Sequence, residues 1–293
     1  MMKNYRVNYV SILLAVLLCS SAAGARVGVT LVQDPGSDRT STFFVDEEGR
    51  LFIGGETTWE PASDGPCPAA APYDISGLLD TGNDRVLVFM IAGDGACFIV
   101  GPGDWIELDP LEGLPPYRLA CCPDLTGENA MLIAVDAAGQ VWLYTAEGWR
   151  PFLDPVPGPG PYDINAFSEL ERESIFLDVV NGAGRLFRVM EDGWYALEVE
   201  LEGDPPFSVS SYNSEDAAYH FVTDSTGSFW MLEDGSVINT ISALLDGRGP
   251  YDMDVYVRPD EEFMAVVLCD SDGVIYNTDG ESWLAQNEGF TDE

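Results

Sequence analysis

Apolar residues in this chain arrive in short bursts, often alternating with polar ones, and Gly, Pro, Asn or Asp punctuates the intervals. A period of two marks half-buried strands, and dense β-branched or aromatic bursts mark strands buried on both faces. Residues 162–200 show the unit. Tyr162-Asp163-Ile164-Asn165-Ala166-Phe167 alternates, Ser168 to Ser174 is polar and reads as a loop, and Ile175 to Val180 is densely apolar. Asn181-Gly182-Ala183-Gly184 is a tight turn and Leu186 to Met190 a third strand. Glu191-Asp192-Gly193 is a second turn and Trp194 to Val199 a fourth strand. No segment carries a helical period.

The unit recurs. A turn glycine is followed ten positions later by tryptophan at Gly49/Trp59, Gly95/Trp105, Gly139/Trp149, Gly184/Trp194 and Gly273/Trp283, while Gly227 has Val237 in the tryptophan slot. Successive glycines are 46, 44, 45, 43 and 46 apart. One such unit cannot bury its own apolar face, and stacked units can. Six copies of four short antiparallel strands predict an all-β, six-bladed β-propeller that occupies residues 26–293 as one domain. With the Tyr-Asp strand innermost, Val27 to Gln33 opens the first blade and Trp283 to Glu288 closes the last, without exchange of strands between the ends.

Within the fourth unit, Phe167-Ser168, Ile175-Phe176-Leu177, Leu186-Phe187-Arg188-Val189-Met190 and Asp192-Gly193 resemble TolB-type and related six-bladed propellers. The likeness runs over about residues 26–290, with Ser168-Glu169-Leu170-Glu171 where that family has Ser-Pro-Asp-Gly. It implies the fold and leaves function open. Thr278-Asp279-Gly280-Glu281-Ser282-Trp283 is similar to the Asp-box of sialidases, one residue short between Asp and Trp. The tryptophans read as blade-packing residues.

The loops before the inner strands alternate in kind. Pro72-Tyr73-Asp74, Pro161-Tyr162-Asp163 and Pro250-Tyr251-Asp252 form one set; Pro116-Tyr117-Arg118 and Pro206-Phe207-Ser208 form the other. The chain therefore reads as three two-blade units, with Asp74, Asp163 and Asp252 converging on the channel mouth from alternate blades. Arg118, Ser208 and Gly28 fall on the blades between. Three carboxylates without a counter-charge raise one another's pKa and attract a cation. They form a candidate metal set, with calcium as the expected ion. Tyr73, Asp74, Tyr117, Arg118, Tyr162, Asp163, Ser208, Tyr251 and Asp252 form the candidate ligand-binding set. The competing reading gives each Asp a local hydrogen bond to backbone N–H. Asp46, Asp136, Asp224 and Asp270 open Asp-x-x-Gly turns, and Asn181 in the same slot argues for a turn role rather than a charge role.

Residues 1–25 read as a secretory signal. Lys3 and Arg6 precede the apolar Val10 to Leu18, and Ala23-Gly24-Ala25 supplies small residues for cleavage. Cys19 invites a lipoprotein reading that the bulky Leu18 opposes. The expectation is a secreted, periplasmic or extracellular protein without membrane insertion. The net charge of −37, with Lys3 the only lysine, repels nucleic acid and favours cations, basic partners or neutral ligands. Beyond the signal stand Cys67, Cys97, Cys121, Cys122 and Cys269, either small buried hydrophobes or the source of one disulfide.

His220 is the only histidine, lies in a strand that reads as core, and has no nucleophile elbow near it. The main functional expectation is an exported, non-catalytic binding module that holds a protein or carbohydrate at its channel face. Two alternatives are a calcium-dependent hydrolase of the lactonase or esterase kind at the channel mouth, and a carbohydrate-binding propeller with sites between blades. No catalytic residue is assigned.

Overall fold

A computed structural model of the chain describes residues 28–33, 40–54, 59–100, 104–169, 173–190, 193–214, 217–241, 245, 247–257, 264–278 and 283–285. The expected signal sequence and Cys19 lie outside the described residues.

Six four-stranded antiparallel sheets follow one another in chain order. Blade 1 is β1 (Gly28–Gln33), β2 (Thr40–Val45), β3 (Leu51–Gly54) and β4 (Trp59–Pro61). Blade 2 is β5 (Tyr73–Asp80), β6 (Arg85–Ala92), β7 (Cys97–Val100) and β8 (Trp105–Leu108). Blade 3 is β9 (Arg118–Pro123), β10 (Ala130–Val135), β11 (Val141–Thr145) and β12 (Gly148–Pro151). Blade 4 is β13 (Asp163–Glu169), β14 (Ser174–Val180), β15 (Arg185–Met190) and β16 (Gly193–Glu200). Blade 5 is β17 (Ser208–Asn213), β18 (Ala218–Thr223), β19 (Phe229–Glu233) and β20 (Ser236–Ile241). Blade 6 is β21 (Asp252–Val257), β22 (Met264–Cys269), β23 (Ile275–Thr278) and β24 (Trp283–Ala285).

Each inner strand packs beside the next, and β1 packs beside β21, so the sheets close a ring. Every blade is contiguous in sequence, as the Tyr-Asp phase requires. One expectation is corrected: Ser168 and Glu169 are not loop. They pair with Ile175 and Ser174 and lengthen the β13–β14 hairpin.

The recurring residues have physical assignments. Asp46 Oδ1 accepts hydrogen bonds from the N–H groups of Glu48 and Arg50, at 3.0 and 2.8 Å. Asp136, Asp224, Asp270 and Asn181 repeat that pair of bonds in their own turns. A side-chain oxygen suffices, which is why Asn can substitute for Asp. Gly49, Gly139 and Gly184 close such turns with φ of 79°, 79° and 70°, where a side chain is strained. Each also lies under an aromatic ring of the next blade, so an added Cβ would sit 2.7 Å from Tyr73, 2.9 Å from Tyr162 or 3.1 Å from Phe207.

The tryptophans tie blades together. Trp105, Trp149 and Trp194 donate from Nε1 to the carbonyls of Gly65, Asp109 and Asp154, each in the loop leaving the preceding blade. An apolar cluster fills every seam between neighbouring sheets, including the closing one, where Val29, Leu31 and Phe44 meet Ala265, Val267 and Cys269. Cys67, Cys97, Cys121, Cys122 and Cys269 are all buried free thiols, so the disulfide alternative gives way to that of small hydrophobes. Among the described residues, no helix is long and apolar enough to cross a membrane.

Phe221 is fully buried in the seam between blades 5 and 6. Replacing it with Ala is expected to cost about 3–5 kcal/mol, the range for deleting a buried Phe ring. Urea denaturation followed by tryptophan fluorescence checks this.

Candidate functional site

The inner strands begin at the hub with the residues singled out by the alternating loops. Asp74, Asp163 and Asp252 do converge there, from blades 2, 4 and 6. The counter-charge that the calcium expectation lacked is present in the chain, and this is a correction. Arg118 Nη1 lies 2.5 Å from Asp74 Oδ1 and 3.4 Å from Asp252 Oδ1, and Arg118 Nε lies 3.0 Å from Asp163 Oδ1. Among the described residues no group of His, Cys, Asp and Glu is arranged to hold a metal ion.

The second oxygen of each carboxylate does something the sequence did not disclose. Asp74 Oδ2 accepts from Leu119 N–H at 2.6 Å, Asp163 Oδ2 from Val209 N–H at 2.8 Å, and Asp252 Oδ2 from Val29 N–H at 2.9 Å. These bonds are not local. Each crosses to the next blade's inner strand, at the residue after Arg118, Ser208 or Gly28. Ser208 Oγ adds a bond to Asp163 Oδ2 at 2.9 Å. Tyr73, Tyr117 and Tyr162 donate their hydroxyls to the carbonyls of Ala69, Gly113 and Gly158 in their own loops. All nine residues of the expected ligand-binding set are buried, none more than 7% exposed. They hold the wheel together rather than face solvent.

A second tier lies two residues further along the same strands, as the strand period dictates. Ser76 Oγ accepts from Cys121 N–H, Asn165 Nδ2 donates to the Ser211 carbonyl, and Asp254 Oδ2 accepts from Leu31 N–H and Thr30 Oγ1. Both tiers line an axial cavity of about 40 Å³. That holds about three water molecules and is far below the roughly 300–1,000 Å³ of ordinary ligand pockets.

Three buried carboxylates surround one guanidinium, and Asp254 lies one tier further along. Burial, then the charges of Asp252 and Asp163, push Asp74 well above the usual carboxylate range. Burial lifts Asp252 to about 6 against the pull of Arg118, and lifts Asp254 to about 6 against its hydrogen bonds from Leu31 and Thr30.

The other concentration of buried charge lies in the seam between blades 4 and 5, where Arg188 Nε and Nη2 donate to the two oxygens of Asp178, both at 2.7 Å. Arg188 Nη1 reaches Asn213 Oδ1 at 3.2 Å, and its Nη2 lies 3.2 Å from His220 Nε2. Its guanidinium covers the stacked rings of Phe167 and Phe176. His220 is 1% exposed, and its Nδ1 has no hydrogen-bond partner. It is therefore buried, as its strand predicts, but in a polar cluster and not in apolar core. Burial would raise the Asp178 carboxyl, yet the hydrogen bonds from Arg188 and His220 and the Arg188 charge outweigh it and hold the group down to about 2.

Sequence reasoning missed this cluster, although the repeat carries the signal. Asp178 and Arg188 are direct cross-strand partners. The equivalent pairs in blades 1, 2, 3 and 5 are Phe43/Ile53, Phe89/Ile99, Ile133/Leu143 and Phe221/Met231, and in blade 6 the pair is Val267/Asn277. Blade 4 alone places an ion pair there. The same cross-sheet row continues outward to Tyr195 and inward to Asn165. Tyr195 and Met190 are 53% and 55% exposed, so the seam runs from the hub to an open apolar rim.

No family model matches the chain, and no curated protein matches it. Solved structures do. The SapL1 lectin, in complex with α-methyl fucoside, is 11% identical with a TM-score of 0.62, over 90% of this chain and 96% of its own. The lectin of Aleuria aurantia, described as a six-bladed β-propeller with a novel fucose recognition mode, is 10% identical with a TM-score of 0.58, over 91% and 97%. BBS1N, solved in complex with ARL6DN, is 15% identical with a TM-score of 0.56, over 87% and 80%. At these identities the likeness establishes the six-bladed architecture and nothing finer, and the TolB-type resemblance is not narrowed by it.

Raised hub carboxyls bind more protons in the folded than in the unfolded chain, so they favour folding below about pH 4 and lose that contribution as pH rises through about 6. Asp178 acts oppositely, contributing above about pH 4 and failing towards 2. Chemical-denaturation stability is therefore expected to peak near about pH 4–5 and to decline towards neutrality. Arg118→Met, which leaves three buried carboxylates without their cation, is expected to cost about 3–5 kcal/mol at pH 7 and clearly less at about pH 4.5. Equal losses at both pH values would contradict the charge assignment.

Proposed function

We propose that this protein is a non-catalytic binding propeller that takes a neutral carbohydrate in the seam between blades 4 and 5, at its rim end. One observation carries the reading: the Asp178–Arg188–His220 cluster stands where blades 1, 2, 3 and 5 place apolar pairs. A buried ion pair is seldom more stabilising than a packed apolar pair of the same volume. Residues that break a repeat's local rule without a stability gain mark functional positions.

The chemistry suits an uncharged polyhydroxyl ligand. Asp178 and Arg188 neutralise each other, so the seam offers hydrogen-bonding groups without net charge. Phe167, Phe176, Met190 and Tyr195 supply apolar surface for the C–H face of a sugar ring, with Arg188 and Asn213 beside them. A neutral ligand also escapes the repulsion that a chain of charge −37 imposes on anions. SapL1 and the Aleuria lectin share the fold and are fucose-binding by description, which supports the carbohydrate reading over the channel-face one. The carboxylates that a calcium-dependent hydrolase would use are engaged by Arg118 and by backbone N–H groups. An exported protein with this role would meet glycans at cell surfaces.

Titration calorimetry with fucose and a panel of other neutral monosaccharides tests this. About one equivalent per chain is expected, with Tyr195→Ala weakening binding about tenfold, as loss of one aromatic contact does, at unchanged melting temperature. Several equivalents would move the sites to every seam, and silence across a broad glycan array would end the carbohydrate reading.

A further inference from the structure

Blade 5 departs from the repeat at its rim, where Val237 stands in the tryptophan slot. Its outer strand β20 reads Ser-Val-Ile-Asn-Thr-Ile, and Ser236 to Thr240 are five consecutive exposed residues. Val237 and Ile238 are 45% and 48% exposed. One edge of β20 pairs with β19, and among the described residues no strand pairs with the other.

Natural sheets guard such edges with charge, proline, brevity or a bulge, and β20 has only the last, at Ile238. The other outer strands comply: β4 carries Glu60 and Pro61, β8 carries Glu107, β12 carries Arg150 and Pro151, β16 carries Glu198 and Glu200, and β24 has three residues. β20 alone has neither charge nor proline over six residues, and it is rich in the β-branched types that extended pairing favours.

We propose that β20 is a docking edge for an extended segment of a partner protein, which adds a strand to blade 5. Charge selects the partner. Glu233 and Asp234 flank the start of β20 and give that end of the edge negative charge. The incoming segment therefore has small or β-branched residues in its middle and Lys or Arg at its ends. A second copy of this chain is disfavoured, because two chains of charge −37 repel each other. Main-chain hydrogen bonds would supply affinity, and side-chain pockets and end charges would supply specificity. The inference is independent of the carbohydrate site.

The probe is a synthetic peptide of alternating valine and threonine with lysines at both ends, compared with a glutamate-ended twin. The lysine peptide is expected to bind in a salt-weakened manner and to slow amide exchange across residues 236–241 by about tenfold or more. Ile238→Lys and Ile238→Thr should each weaken it, the former by about tenfold, without altering monosaccharide binding. Equal binding of both peptides, protection elsewhere only, or indifference to both substitutions would overturn the proposal. So would a concentration-dependent dimer in sedimentation that Ile238→Lys dissolves, since a second copy would then be the occupant.

Discussion

The ring depends on one contact made three times: a carboxylate on one inner strand accepting the N–H of the next. Inner strands of neighbouring blades are not hydrogen-bonded to each other as a sheet, so their hub-side backbone donors need other acceptors. Asp74, Asp163 and Asp252 supply them at Leu119, Val209 and Val29. Placing three such groups round one axis creates a charge problem, and Arg118 answers most of it. The remainder appears as raised carboxyls and as second-tier bonds from Thr30, Leu31 and Ser210 to Asp254. The hub is a polar core inside an apolar wheel. Its axial cavity is small, about 40 Å³.

Seen from the seams, five blade-to-blade joints are variations on apolar packing and one is not. The joint between blades 4 and 5 keeps apolar residues near the turns, with Val180, Leu186, Phe207 and Leu232, and turns polar at the opposite end. The Asp178–Arg188 pair is satisfied by bidentate geometry, Asn213 and His220, which makes its burial tolerable. A repeat protein can carry one such exception because the neighbouring joints stabilise the fold without it.

Much of this was legible in the residues. The glycine–tryptophan period announced six blades, the alternating Tyr-Asp loops brought three carboxylates to the axis, and Asn181 betrayed the turn role of its Asp equivalents. What stayed hidden had physical reasons. That Arg118 would fold inward to the carboxylates depends on side-chain reach across 44 residues from Asp74 and 134 from Asp252, which no local pattern encodes. Local backbone bonding, the alternative to a cation site for each Asp, gives way because the second oxygen serves the adjacent blade. His220 looked like core because its strand is core. Only alignment of the blades on their cross-strand pairs exposes the Asp178–Arg188 substitution.

Among the described residues, the first and last blades meet without exchanging strands. Blade 1 and blade 6 each contain only their own strands, and the joint between them is the only one with no covalent connection through the polypeptide. It is held by the Val29–Asp252 bond, the contacts of Asp254 and one apolar cluster. The wheel therefore has a built-in parting line, the one joint that non-covalent contacts alone hold shut.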